Sequence, residues 1–262
     1  MSARYGISAL STEQFLSLPA KLPKAFTAVE FPGDVLESSS GMQKLASFKK
    51  NGITLCGRDF IVPEWAALIP AENCKLRAEL EQHVQVLCAK AADAGVKLLA
   101  ITFDLFQAVN DSEYKEKLIC FLRRCAGVIH SLDQKLLLVC RVPGGGAFDG
   151  WEEILAFRRE LLAPNIEFMI ELHPHEPNAP EIISQALHTF RLHDTFRRIC
   201  YDSSVGNSLT PGALKRCSET CAKDLDPEII IFFNPGSGKF DTSQLAELDT
   251  LAQPFIAEKS ER

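Results

Sequence analysis

The sequence predicts an α/β fold, a single-domain (β/α)8 TIM barrel spanning residues 1–262, and three observations carry that expectation. Short β-rich runs alternate with longer amphipathic stretches from one end of the chain to the other, an order that implies a parallel sheet. Eight such pairs can be counted, in a length close to the roughly 250 residues typical of an eightfold barrel. At 46% hydrophobic residues the chain can also bury a large core. An open doubly wound sheet fits less well, because no Gly-x-Gly-x-x-Gly follows the first strand, and no nucleotide cofactor is expected.

In chain order the strands are expected at Tyr5–Ala9, Thr27–Phe31, Ile53–Cys56, Lys97–Phe103, Lys135–Arg141, Ile166–His173, Arg198–Asp202 and Glu228–Phe233. The first helix opens at Ser11 with Gln14 three residues on, the spacing of a capping box, and the last opens at Asp241 with Gln244 in the same relation. The third, from about Leu76 to Ala94, sets Leu76, Leu80, Val84, Leu87 and Ala91 on one face and ends at Gly95. Pro180 and Pro211 each stand where a helix should begin. Glycine and proline clusters at Pro143–Gly146 and Pro235–Gly238 follow strands directly, so they read as loops rather than domain linkers.

Charge and composition exclude several classes of partner. A net charge of −6 and a pI near 5.6 argue against nucleic acid, whose partners present a basic face. No run approaches the ~20 apolar residues of a membrane helix and no secretory leader is evident, so a cytoplasmic protein off the membrane is expected, with a small-molecule substrate. The nine cysteines are odd in number and dispersed through apolar segments, which reads as reduced core residues. Cys217 and Cys221 lie one helical turn apart, but no second pair with zinc-ligand spacing accompanies them. Oligomeric state is not legible.

Alternate residues of a barrel strand face the interior, so polar residues of that parity at the carboxyl ends converge on one mouth. In the sixth strand Ile166, Phe168, Ile170 and Leu172 form the helix-facing set, leaving Met169, Glu171 and His173 inward. The same rule brings Glu30, Asp104 with Thr102 below it, Arg141 and Asp202 to the mouth, with Arg58 and Asn234 of ambiguous parity. Buried charges are costly unless paired, so ionic partners or a ligand must satisfy this ring. An internal salt-bridge cluster of Arg141 with Glu171 and Asp202 is the structural alternative. Beyond the strands, Asp202-Ser203 and Gly236-Ser237-Gly238-Lys239 offer backbone N–H groups, hydroxyls and a lysine where barrels often hold phosphate, a candidate anion site. An ordinary glycine-rich turn is the alternative.

Taken together, Thr27–Phe31 with Glu30, the run Ile170-Glu171-Leu172-His173-Pro174, and Ile199–Asp202 resemble the xylose isomerase-like barrels, a superfamily of sugar and sugar-phosphate isomerases and epimerases that includes endonuclease IV. The resemblance spans nearly the whole chain and implies a divalent ion (Mn²⁺, Mg²⁺ or Zn²⁺) on Glu171, His173 and Asp202. Two positions depart from the family pattern, because Arg141 and Asn234 stand where glutamates are usual. An arginine repels a cation but suits a substrate carboxylate or phosphate.

The reading that follows is an isomerase or epimerase of a small, anionic sugar. Glu171 or Asp202 removes a proton beside a carbonyl, His173 is the acid partner or metal ligand, and Arg141 stabilises the enediolate, with Glu30 and Asp104 in the same mouth. The alternatives are a metal-dependent hydrolase on the same barrel and a non-catalytic barrel that binds a sugar or a protein partner. A Schiff-base aldolase lacks its lysine at an inward strand end.

Overall fold

Eight parallel strands form, β1 (Arg4–Ser8), β2 (Phe26–Pro32), β3 (Thr54–Arg58), β4 (Leu98–Thr102), β5 (Lys135–Val142), β6 (Ile166–Leu172), β7 (Asp194–Cys200) and β8 (Ile230–Asn234), most of them rich in apolar residues. Each pairs with the next, and β8 also pairs with β1, so the curled sheet closes on itself. This is a computed structural model that describes residues 4–59, 74–102, 112–142, 151–172, 194–200, 230–234, 240, 243, 245–246 and 249–250. The described helices are α1 (Thr12–Ser17), α2 (Ser39–Lys50), α3 (Cys74–Asp93), α4 (Ser112–Ser131) and α5 (Trp151–Leu161), one after each of the first five strands. The starts expected at Pro180, Pro211 and Asp241, and the Cys217/Cys221 pair, lie outside the described residues.

Two apolar layers result from the alternation. One lies between sheet and helices and takes Ile7, Val29, Leu55, Leu99, Leu138 and Phe168 from the strands. The other fills the interior with Ala28, Cys56, Leu98, Ala100, Leu137, Val139, Met169, Ile230 and Phe232. Small and large side chains interdigitate there as barrel packing requires. Gly6 shows how tightly: a Cβ at this position would lie 2.6 Å from Cδ1 of Phe232 and 3.1 Å from the Ala28 Cβ. Met169 falls in the interior set and Phe168 in the helix-facing set, as the alternation in the sixth strand predicts.

Helix signals behave as the sequence suggests, with local differences. The Ser11 hydroxyl accepts from the Gln14 N–H at 3.1 Å, while the Gln14 side chain reaches back to the N–H of Leu10, one residue before the cap. Leu80, Val84 and Ala91 of α3 are buried, but Leu76 is exposed in the first turn, where the face has run past its partner. Gly95 ends α3 with φ 83°, a conformation that glycine adopts without strain. Lys44 of α2 donates from Nζ to the carbonyls of Leu16 and Leu18, satisfying the carboxyl end of α1, and burial pushes its ammonium pKa down. No described helix is long and apolar enough to cross a membrane.

Cys56, Cys88, Cys125 and Cys140 are buried thiols, whereas the Cys120 thiol is exposed on α4. Burial pushes the Cys88 thiol up to about 12 and raises Cys125 as well. Because the thiolate is the nucleophile, these two should stay unreactive at any pH that leaves the protein folded. Peptide-resolved mass spectrometry after iodoacetamide treatment at pH 8 should find Cys120 alkylated before Cys88 or Cys125. Equal labelling of the native protein would mean that α3 and α4 do not pack as described.

Candidate active site

The carboxyl ends of β1 to β4 carry one connected polar cluster. Glu30, on the interior parity of β2, is fully buried and accepts a hydrogen bond from the hydroxyl of Ser8, the last residue of β1. Arg58, the last residue of β3, donates from a terminal nitrogen to Ser8 Oγ at 3.1 Å and from Nε to Asp59 Oδ2 at 2.9 Å. Thr102, the last residue of β4, donates to Asp59 Oδ1 at 2.6 Å. Four adjacent strands are thus tied by one chain of hydrogen bonds, and the buried Glu30 carboxylate sits at its end. Asp59 holds it together with a left-handed backbone, φ 47°, which aims its carboxylate from β3 toward β4.

On the opposite wall, Glu171 near the end of β6 is also buried, at 8% exposure. Its register partners are Arg141 on β5 and Arg198 on β7. Arg141 lies one residue before the end of β5. The seventh strand is expected to start at Arg198, yet β7 runs from Asp194 to Cys200. Asp202 lies outside the described residues. The third strand likewise runs two residues further than expected and makes Arg58 part of β3, while β8 ends at Asn234.

Asp104, His173, Asp202, Ser203, Gly236, Ser237, Gly238 and Lys239 lie outside the described residues. Glu30, Glu171 and Arg141 lie at the carboxyl ends of their strands. Ser8 and Asp59 escaped the sequence reading. A strand-terminal serine carries no charge to flag it, and Asp59 lies one residue past a strand, where parity no longer applies. Arg58 could have been placed by counting Thr54, Cys56 and Arg58 as one face.

Of the three residues that would hold a divalent ion, only Glu171 is described, and an arginine occupies the register position on each side of it. Mg²⁺ and Mn²⁺ rely on several hard oxygen donors, which an arginine does not supply. With Arg141 and Asn234 at the strand ends where the resembled family has glutamates, the chain offers fewer hard oxygen donors there. Among the described residues no group of three or more His, Cys, Asp and Glu side chains could hold a metal ion.

No family model matches the sequence, and no curated protein matches it. Solved structures match along almost the whole chain. A D-psicose 3-epimerase with D-tagatose, from Clostridium cellulolyticum H10, is 15% identical with a TM-score of 0.67, over 98% of this chain and 97% of that one. The 3-keto-D-glucoside 4-epimerase of E. coli is 12% identical with a TM-score of 0.65, over 96% and 99%. An AP endonuclease of family 2 from Brucella melitensis is 13% identical with a TM-score of 0.62, over 97% and 99%. What these proteins share with this chain, at 12–15% identity, is the fold.

Proposed function

We propose that this chain is a single (β/α)8 domain that isomerises or epimerises a small anionic sugar by proton transfer at the carboxyl-end mouth. The observation that carries the reading is the pair of buried carboxylates, Glu30 on β2 and Glu171 on β6, on walls four strands apart in a closed order of eight. Inverting a carbon next to a carbonyl needs one group to take its proton from one face and another to return a proton to the opposite face. Carboxylates on facing walls suit that division of labour. The solved structures of like fold include sugar epimerases, which favours this reaction class over others that barrels host.

In this reading Glu171 removes the proton beside the substrate carbonyl, and Arg141 stabilises the enediolate oxygen that results. On the second face Glu30 enters protonated: Ser8 gives its hydroxyl proton to the carbon and takes that of Glu30, which leaves Glu30 as the carboxylate to which Ser8 donates. His173 is the acid partner, with Asp104 and Asp202 completing the polar mouth. Ser203, Gly236, Ser237, Gly238 and Lys239 hold the anionic group. The replacement of two expected glutamates by Arg141 and Asn234 favours a reaction in which these residues move protons without a metal.

The test is hydrogen exchange. Neutral and phosphorylated ketoses are incubated with the protein in D₂O after dialysis against EDTA, and proton NMR reads deuterium at the carbon next to the carbonyl. Incorporation is expected with at least one phosphorylated sugar or sugar acid. Incorporation only after Mn²⁺, Mg²⁺ or Zn²⁺ is added would overturn the metal-free mechanism, and none under either condition would remove the isomerase reading.

A further inference from the structure

The Arg58–Asp59 pair has no part in the proton transfer above, yet it stands at the same mouth with bonding capacity to spare. A guanidinium carries five N–H donors, and among the described residues the hydrogen bonds to Ser8 and Asp59 use two of them. The Asp59 carboxylate accepts one bond on each oxygen, from Arg58 and Thr102, which leaves lone pairs on both. Neither side chain is sealed off, with exposures of 15% for Arg58 and 36% for Asp59. Donors and acceptors therefore lie side by side at a partly open strand end.

Charge decides what such a pair can take. Arg58 is offset by Asp59, and Glu30 adds a negative charge behind Ser8, so the cluster is formally −1. A phosphate or carboxylate, which only accepts, would meet the Asp59 carboxylate and the field of Glu30. A cation would meet the guanidinium. A hydroxyl both donates and accepts, and two neighbouring hydroxyls match a donor and an acceptor held side by side.

The left-handed backbone of Asp59, φ 47°, is one that aspartate adopts at small cost, and with it the carboxylate reaches Thr102 of β4. An ion pair at this exposure adds little to stability.

We propose that Arg58 and Asp59 hold two adjacent hydroxyl groups of a neutral polyol segment, and so read the hydroxylated end of the substrate. This rests on the sugar reading above and deepens it: the substrate lies across the mouth, its hydroxylated end at β3 and β4 and its anionic end toward the loops that follow β7 and β8.

Titration calorimetry with D-tagatose and D-fructose, and separately with inorganic phosphate, tests this on the wild type, Arg58→Lys, Arg58→Met and Asp59→Asn, with a thermal melt of each. Asparagine tolerates the left-handed backbone, so Asp59→Asn keeps the fold if Arg58→Met does not. Ketose affinity should fall about tenfold or more in Arg58→Met and Asp59→Asn, the loss of one charge-assisted hydrogen bond, and less in Arg58→Lys, with phosphate affinity unchanged. Unchanged ketose affinity in folded Asp59→Asn, loss of phosphate binding in Arg58→Met, or no ketose binding to the wild type would each overturn the proposal. Deuterium exchange separates the two readings. Exchange that persists while ketose affinity ignores both positions removes this inference alone, and hydroxyl-dependent binding without exchange removes only the isomerase.

Discussion

Glu171→Gln should lower deuterium incorporation into substrate by a factor on the order of 10²–10⁴, the usual contribution of a positioned general base. Glutamine keeps the shape of the side chain and removes only its capacity to take a proton, so a loss of this size belongs to the chemical step. Glu167 supplies the control. It lies four residues earlier on β6 at the same parity, with Met169 of the interior layer between the two. Glu167 bonds to Nζ of Lys135 at 2.5 Å, and the pair sits at the amino-terminal ends of β5 and β6. In barrels of this kind the carboxyl end carries chemistry and the amino end carries stability.

Glu167→Gln should therefore leave exchange at the wild-type rate. Its ion pair is half exposed on the lysine side, 49% against 12% for the glutamate, and its loss should cost no more than about 1 kcal/mol. Equal losses of exchange in the two variants would mean that activity follows folding and not the mouth. Wild-type exchange in a folded Glu171→Gln would remove Glu171 as the base.

Why one end of β6 was legible from sequence while the neighbouring strands were not is a matter of local pattern. Ile166–Leu172 alternates without a break, so its parity fixed Met169 and Glu171 together. In β3, Gly57 interrupts the apolar run after Cys56, and the strand was expected to stop there; the sheet continues because Pro32 of β2 pairs with Arg58. In β7 the segment Asp194–Cys200 carries two adjacent arginines and few apolar residues, so the apolar run from Ile199 drew the expected strand toward Asp202. Pairing with β6 and β8 overrides that local preference and sets Arg198 level with Glu171. Glu30 was found because Val29 and Phe31 flank it as helix-facing residues. Its bond to Ser8 crosses between strands whose register no single segment encodes.

Gly6→Ala should have the largest effect on stability of any single-methyl change in β1, about 1–3 kcal/mol as read from urea unfolding. The new Cβ would fall 2.6 and 2.7 Å from Cδ1 and Cε1 of Phe232 and 3.1 Å from the Ala28 Cβ, inside van der Waals contact on two sides. A chain end could swing clear, but Phe232 is fully buried and its ring is enclosed by the interior layer. Relief must come from the ring leaving its rotamer or from β1 moving away from β2 and β8, both of which it pairs with. Phe232→Leu alone should also destabilise, by opening space in the interior. Together the two changes should be less damaging than their sum, because the shortened side chain vacates the volume that the methyl enters. A coupling of about 0.5–3 kcal/mol in the double-mutant cycle is expected. Strict additivity, or a Gly6→Ala protein as stable as the wild type, would mean that β1 and β8 do not meet at this register, and the closure of the sheet that brings Ser8 to Glu30 would lose its support.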